Sequence, residues 1–437
     1  MLPRHLKLRS DLVITQQETR AGTYFVLKDP ATGRFFRFRE AEHFVAQQLD
    51  GSTSLDVIRQ KVNEKFGAAL SQDTLESFIE RFQRLGLLQE GAEFSQPSQQ
   101  RGRVRGNLLY LRLKAFDPDR LFQRLVSKVR FCFTPHFLAL SALIIAFALG
   151  ITIANWGEIA RDLHRLYQLQ ALFLAWLTIL VVTTAHEFAH GLTCKYFGGT
   201  VNEVGFLLLY FQPAFYCNVS DAWLFPEKSK RLWVTFAGAY FELFLWALAT
   251  LTWRVTNPDS LLNYAALVVM ATSGIKTLFN LNPLIKLDGY YLLSDYLEIP
   301  NLRQRAFSYL RAQFRRLRGL GQEGTNEPNP RERRIYLAYG LLAGGFSFSL
   351  LFFVALQLAS FLTGRYQGLG FILFGVLLVT LFRDPLKRAI PKPPALFRRA
   401  QAILGSMNRR TRMLTLLGVV LAVLFLGRME LKVAGGV

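Results

Sequence analysis

Between Leu166 and Ala185 the chain runs for 20 residues without a charge, and the next five, His186-Glu187-Phe188-Ala189-His190, carry three ionisable groups. An apolar run of that length spans the hydrocarbon core of a bilayer as a helix. Four-residue spacing puts His186 and His190 one turn apart on the same helix face, where both can bind one Zn²⁺, with Glu187 offset beside them as a base. HExxH also arises by chance. At the end of a membrane segment, however, ionisable groups are costly and default to a functional reading.

The chain has 437 residues, 51% of them hydrophobic, which points to a polytopic membrane protein with a soluble part. The start, MLPRHLKLRSDLVITQQETR, has no apolar core of the signal-peptide kind, and the first membrane-length run begins near Phe137. Cys132, Cys194 and Cys217 are too few and too scattered for a disulfide framework or a thiolate metal site. A net charge of +21 could suggest nucleic acid, but residues 1–95 hold 13 Lys/Arg against 13 Asp/Glu. The excess falls in blocks around Arg101–Arg130, Arg303–Arg334 and Arg383–Arg412 that alternate with lightly charged loops. That is the positive-inside pattern, and it argues against nucleic-acid binding.

Residues 1–94 read as a small soluble domain. Tyr24–Leu27 and Arg34–Phe38 are strand-like, with Asp29-Pro30-Ala31-Thr32-Gly33 as the turn of a hairpin. Three amphipathic helices follow: 40–49, a second around Leu55, Ile58, Val62 and Phe66 behind a Thr53/Asp56 capping pair, and a third burying Leu75, Phe78, Ile79, Phe82 and Leu85. Residues 95–134 read as a basic linker followed by a helix, Leu121, Phe122, Leu125 and Val129 interleaved with Arg and Lys. That helix either lies on the membrane face or is an ordinary solvated one. Residues 135–300 form a membrane core, 301–334 a basic cytoplasmic segment, and 335–437 further spans with a short outer tail.

About seven spans are expected, near 137–156, 168–194, 232–253, 261–284, 335–361, 368–382 and 413–427. From a cytoplasmic N-terminus this count sends the basic blocks inward. It also brings the ends of the second and fourth spans, with His186, His190 and the stretch Asn282–Asp288, to one depth. Glu242 and Lys276 lie inside spans three and four, where an unpaired charge is expensive, so they should pair or face a polar interior. The stretch 205–225, apolar but broken by Pro213, is either a re-entrant strand or loop that presents substrate to the metal, or a loop packed on the bundle.

A hydrolytic zinc site needs three protein ligands and one open position. The other four histidines, His5, His43, His136 and His164, are badly placed, which favours a carboxylate. Asp288 in Asn282-Pro283-Leu284-Ile285-Lys286-Leu287-Asp288-Gly289 follows a Pro that interrupts helical hydrogen bonding and precedes a Gly that lets the backbone turn closely. A solvated aspartate at a helix end is the alternative.

HEFAH on a membrane helix with NPLIKLDG about 100 residues later resembles the site-2 protease family of intramembrane zinc metalloproteases. The front domain and extra spans look more like the bacterial peptide zinc metalloproteases found beside export systems. The hairpin followed by three helices resembles PqqD-like, winged-helix domains. The resemblance implies zinc on His186, His190 and Asp288, Glu187 as general base, and Asn282 helping to hold substrate or the oxyanion. It also implies that the front domain binds peptide by β-augmentation, although a plain structural domain would read the same way. There is no room for a PDZ domain, and Ala239 and Glu242 stand where many relatives have Pro and Asn.

The expected fold class is therefore a mainly α, polytopic membrane helix bundle behind a small α+β winged-helix-like soluble domain. Its expected setting is the bacterial inner membrane, with the N-terminus cytoplasmic and a peptide or membrane-peptide substrate. The competing function is a non-catalytic scaffold or export component. Met429–Val437 resembles the opening of a HlyD-like adaptor domain, so a separately encoded periplasmic adaptor is the expected partner.

Overall fold

The computed structural model describes residues 6–19, 22–67, 70–89, 104–107, 110–167, 172–209, 212–317 and 328–389. The chain divides into two compact units, 1–321 and 322–437. The first begins with β1 (Lys7–Leu8), β2 (Val13–Thr19), β3 (Gly22–Asp29), β4 (Arg34–Arg39), α1 (Glu40–Gln48), α2 (Leu55–Phe66), α3 (Gln72–Arg84) and β5 (Leu88–Gln89). The β3–β4 hairpin forms where its turn chemistry places it. Asp29 accepts from the Ala31 amide and the Thr32 hydroxyl, and Gly33 takes φ 59°. The three helices close over the sheet through Leu27, Phe38, Ile58, Ile79, Phe82 and Leu87. The capping reading is corrected in detail: Ser54 is the N-cap of α2, while Asp50 accepts from the Ser52 and Thr53 amides.

β2 is an addition to the expected domain. It pairs antiparallel with β3 from Val13 opposite Lys28 to Thr19 opposite Gly22, making the order β2-β3-β4. Its polar Thr-Gln-Gln-Glu-Thr run carries little strand signal, but Gln17 is buried. Its amide donates to the Trp223 carbonyl at 2.6 Å and the Phe225 carbonyl at 3.1 Å. With the Lys28–Asp221 ion pair at 2.6 Å and Phe35 edge-on to Trp223, this fastens the front domain to the segment after residue 217.

The segment read as linker and surface helix holds β6 (Val104–Asn107), β7 (Tyr110–Phe116) and α4 (Asp119–Val129). β6 and β7 join β8 (Val204–Leu209) and β9 (Gln212–Cys217) in an antiparallel sheet of order β6-β7-β8-β9. α4 leaves Arg120, Leu121, Arg124 and Lys128 exposed but buries Phe122 completely, edge-on to Phe188 of the HEFAH helix. A buried ring between two helices is a packing anchor.

The remaining helices are α5 (Pro135–Ala154), α6 (Trp156–Asp162), α7 (Leu172–Tyr196), α8 (Lys228–Val255), α9 (Leu261–Asn280), α10 (Asp288–Leu297), α11 (Leu302–Leu317) and, in the second unit, α12 (Pro330–Ala389). Among the described residues, five helices are long and apolar enough to cross a membrane: α5, α7, α8, α9 and α12. The expected fifth and sixth spans both fall within α12, which loses helical geometry at Gln367, where φ is 49°. The expected span at 413–427 and the tail lie outside the described residues.

Two predictions follow from this packing. A Cβ on Gly191 would stand 2.4 Å from the Phe122 ring and 2.9 Å from Cys217 Sγ. Gly191→Ala is therefore expected to cost about 1–3 kcal/mol. Adding Phe122→Leu should recover part of that loss, read as the shift in unfolding midpoint of the purified protein. Burial pushes the Asp295 carboxyl on α10 up to about 6, against the pull of Arg231, Arg37 and Lys228. Once ionised it costs the folded state, so stability should fall as pH rises from about 4 through about 6. The difference in midpoint between wild type and Asp295→Asn, followed over that window, isolates the effect.

Candidate metal centre

Four helices bring the site together. α7 presents His186 and His190 from one face, both buried. α9 ends at Asn280, and the chain turns before α10, whose first residue is Asp288. The turn is close because Gly289 lies against the Leu281 backbone, where a Cβ would come within 2.3 Å of the carbonyl oxygen. His186 Nε2, His190 Nε2 and Asp288 Oδ2 then converge, separated by 3.1, 3.2 and 3.4 Å.

The hydrogen bonds around this trio decide what it can hold. His190 Nδ1 lies 2.7 Å from the Val234 carbonyl of α8. A carbonyl only accepts, so Nδ1 carries the proton and the neutral ring turns the lone pair of Nε2 toward His186 and Asp288. His186 Nδ1 faces away from the trio, 3.3 Å from Glu242 Oε1. Asp288 turns its carboxylate Oδ2 to the same point. Two lone pairs and an anionic oxygen thus face one point. Ligand atoms about 2.0–2.2 Å from a tetrahedral ion stand about 3.3 Å apart, so the spacing and the His/His/Asp donor set fit zinc.

Glu187 is anchored by the backbone of the neighbouring sheet. Its Oε2 accepts from the Cys217 amide at 2.9 Å, at the end of edge strand β9. Within the stretch read as either re-entrant strand or packed loop, Val204–Leu209 and Gln212–Cys217 pair as antiparallel strands, and the last residue of the second holds Glu187.

Asn282 is placed differently from expectation. Its Oδ1 accepts from the Leu284 amide at 2.9 Å and shapes the turn. Asn280 stands at the site instead, its Nδ2 3.1 Å from Asp288 Oδ2 and 3.4 Å from His186 Nε2. As the last helical residue of α9 it still points into the bundle, whereas two residues later the chain has turned. Sequence reasoning missed it because a plain helical register, carried to the final residue, was the only signal. Gly238 was missed as a site residue too. A Cβ there would lie 2.3 Å from His190 Nε2 and 2.6 Å from His186 Nε2.

No protein-family model matches the chain, and no solved structure matches it. Over 139 residues it is 26% identical to a Bacillus subtilis (strain 168) protein named "Putative peptide zinc metalloprotease protein YydH". The match takes in 30% of this chain and 53% of that protein, so the chain spans about half the length of its relative. The likeness is distant and reaches no further than a protein carrying a zinc metalloprotease name.

Gly238→Ala tests the geometry directly. It adds a methyl where the two imidazoles meet and little elsewhere, so zinc retained through purification should fall at least about tenfold while the protein stays folded. Metal content by elemental analysis beside a thermal melt checks both halves.

Proposed function

We propose that this chain is an intramembrane zinc metalloprotease that hydrolyses a peptide or membrane-peptide substrate near the cytoplasmic face of the bacterial inner membrane. The observation that carries the reading is the convergence of His186 Nε2, His190 Nε2 and Asp288 Oδ2 with Glu187 on the same helix. The distant likeness to a named zinc metalloprotease supports it, as do the membrane-length helices α7, α8 and α9 that carry or flank the site.

Zinc bound there supplies a Lewis acid that makes a coordinated water acidic and polarises a peptide carbonyl. His186, His190 and Asp288 hold it. Glu187 is not needed as a ligand. With Oε2 anchored on the Cys217 amide, its other oxygen can take the proton of the attacking water and pass it to the departing amine. Asn280, donating to Asp288 Oδ2, keeps that carboxylate oriented.

β9 is an edge strand in the described sheet and ends at Glu187. An extended peptide added along it would bring successive carbonyls toward the site. On the same reading the front domain, with Val13 and Ile14 exposed on edge strand β2, collects the peptide before cleavage. A periplasmic HlyD-like adaptor meets the tail.

Glu187→Gln keeps size and hydrogen bonding but removes the base. Zinc should stay bound while cleavage of co-expressed single-span substrates falls by roughly two to four orders of magnitude. His186→Ala, His190→Ala and Asp288→Asn should lose both metal and activity. Wild-type protein purified without zinc would remove the metal reading. Zinc-loaded wild type with the same output as Glu187→Gln would point to a scaffold instead.

A further inference from the structure

The hydrolytic reading leaves two buried charges unexplained, Glu242 and Lys276. Glu242 lies halfway along α8 with no exposed surface, and Lys276 lies on α9 with its side chain one-third exposed. They form the pair expected of charges inside spans, Lys276 Nζ standing 2.5 Å from Glu242 Oε1. A pair made only to neutralise itself could have sat anywhere along the two helices. This one sits where Oε1 is also 3.3 Å from His186 Nδ1. Among the described residues, neither His186 Nδ1 nor Glu242 Oε2 has a formed hydrogen bond. A small rotation of either side chain would satisfy both.

The two nitrogens of an imidazole point to opposite sides of the ring. Once His186 Nε2 faces Asp288 and His190, Nδ1 is the only remaining handle on the ring. A carboxylate there keeps the proton on Nδ1, leaves the lone pair on Nε2, fixes the ring plane and raises its basicity as a ligand. Lys276 makes an ionised Glu242 tolerable in that interior. His190 receives the same service from an uncharged group, the Val234 carbonyl.

We infer that Glu242, paired with Lys276, is a positioning residue that sets the tautomer and orientation of His186 for metal binding. The inference rests on the metal reading above. It goes beyond it in giving span three a defined role and in making the two histidines unequal ligands, one backed by a charge and the other by a dipole.

The test separates this role from simple structural pairing. Replacing a buried ion pair by apolar residues of similar volume is commonly neutral for folding. Glu242→Met/Lys276→Met should therefore give folded protein with a near wild-type thermal midpoint. It should bind zinc about 10–100-fold less tightly in competition with a chelator. The visible spectrum of its cobalt-substituted form should be shifted, because the ligand field at His186 has changed. Glu242→Gln, which keeps size and an acceptor oxygen, is measured alongside and should weaken zinc about tenfold, whereas Lys276→Arg should leave it unchanged. Wild-type zinc affinity and cobalt spectrum in folded Glu242→Met/Lys276→Met or Glu242→Gln protein would overturn the inference and leave the metal reading standing. Wild-type protein that binds no zinc would overturn both.

Discussion

Two imidazole lone pairs and a carboxylate oxygen held within 3.4 Å of one another repel unless something positive lies between them. The rest of the first unit supports that arrangement. The three groups come from α7 and α10, two segments about 100 residues apart in sequence, and no local propensity would assemble them. They are pressed together by backbone close approaches that only glycine permits: Gly238 under the two histidine rings and Gly289 against the end of α9. Burial does the remainder. With the histidines shielded from water, each ring nitrogen needs a specified partner, and Val234 and Glu242 lie where Nδ1 of each ring needs one.

The sheet next to the site has a different function from the helices. In a bilayer, backbone amides must be satisfied internally, which is why helices do the crossing. β8 and β9 take their described backbone partners from each other and from β7, and Phe122 of α4 packs in one buried cluster with Val204 and Phe188 of the HEFAH motif. The front domain grips the segment immediately after β9 through Gln17 and Lys28. The C-terminal end of β9 is thus held twice, by Glu187 at Cys217 and by the front domain a few residues on.

Much of this was readable in the residues. The four-residue histidine spacing, the uncharged run before it and the Pro/Gly bracket around Asp288 each carry a physical reason, and the structure brings those three side chains together. The front hairpin was marked by its turn chemistry and the three helices by apolar periodicity. What escaped notice depended on long-range partners. β7 carries a period-two alternation, Leu111-Arg112-Leu113-Lys114, that could have been read as a strand, but its neighbour β8 lies about 90 residues away. β2 is polar because most of its side chains are exposed, and the one that is buried, Gln17, faces the loop carbonyls at 223 and 225 rather than an apolar core. Asn280 and Asn282 are equally plausible in sequence, and only the place where α9 stops tells them apart.

The bond from the Cys217 amide ties Glu187, the proposed general base, to a backbone position rather than to a side-chain pocket. On the proposed reading, a peptide laid along β9 is measured in steps of one residue, about 3.3 Å each, from that fixed end. The scissile bond is then chosen by its count along the strand, and side chains matter mainly by which alternate ones face the bundle. An enzyme built in this way would tolerate varied sequences at the cut while being intolerant of inserted or deleted residues between the cut and whatever anchors the substrate upstream.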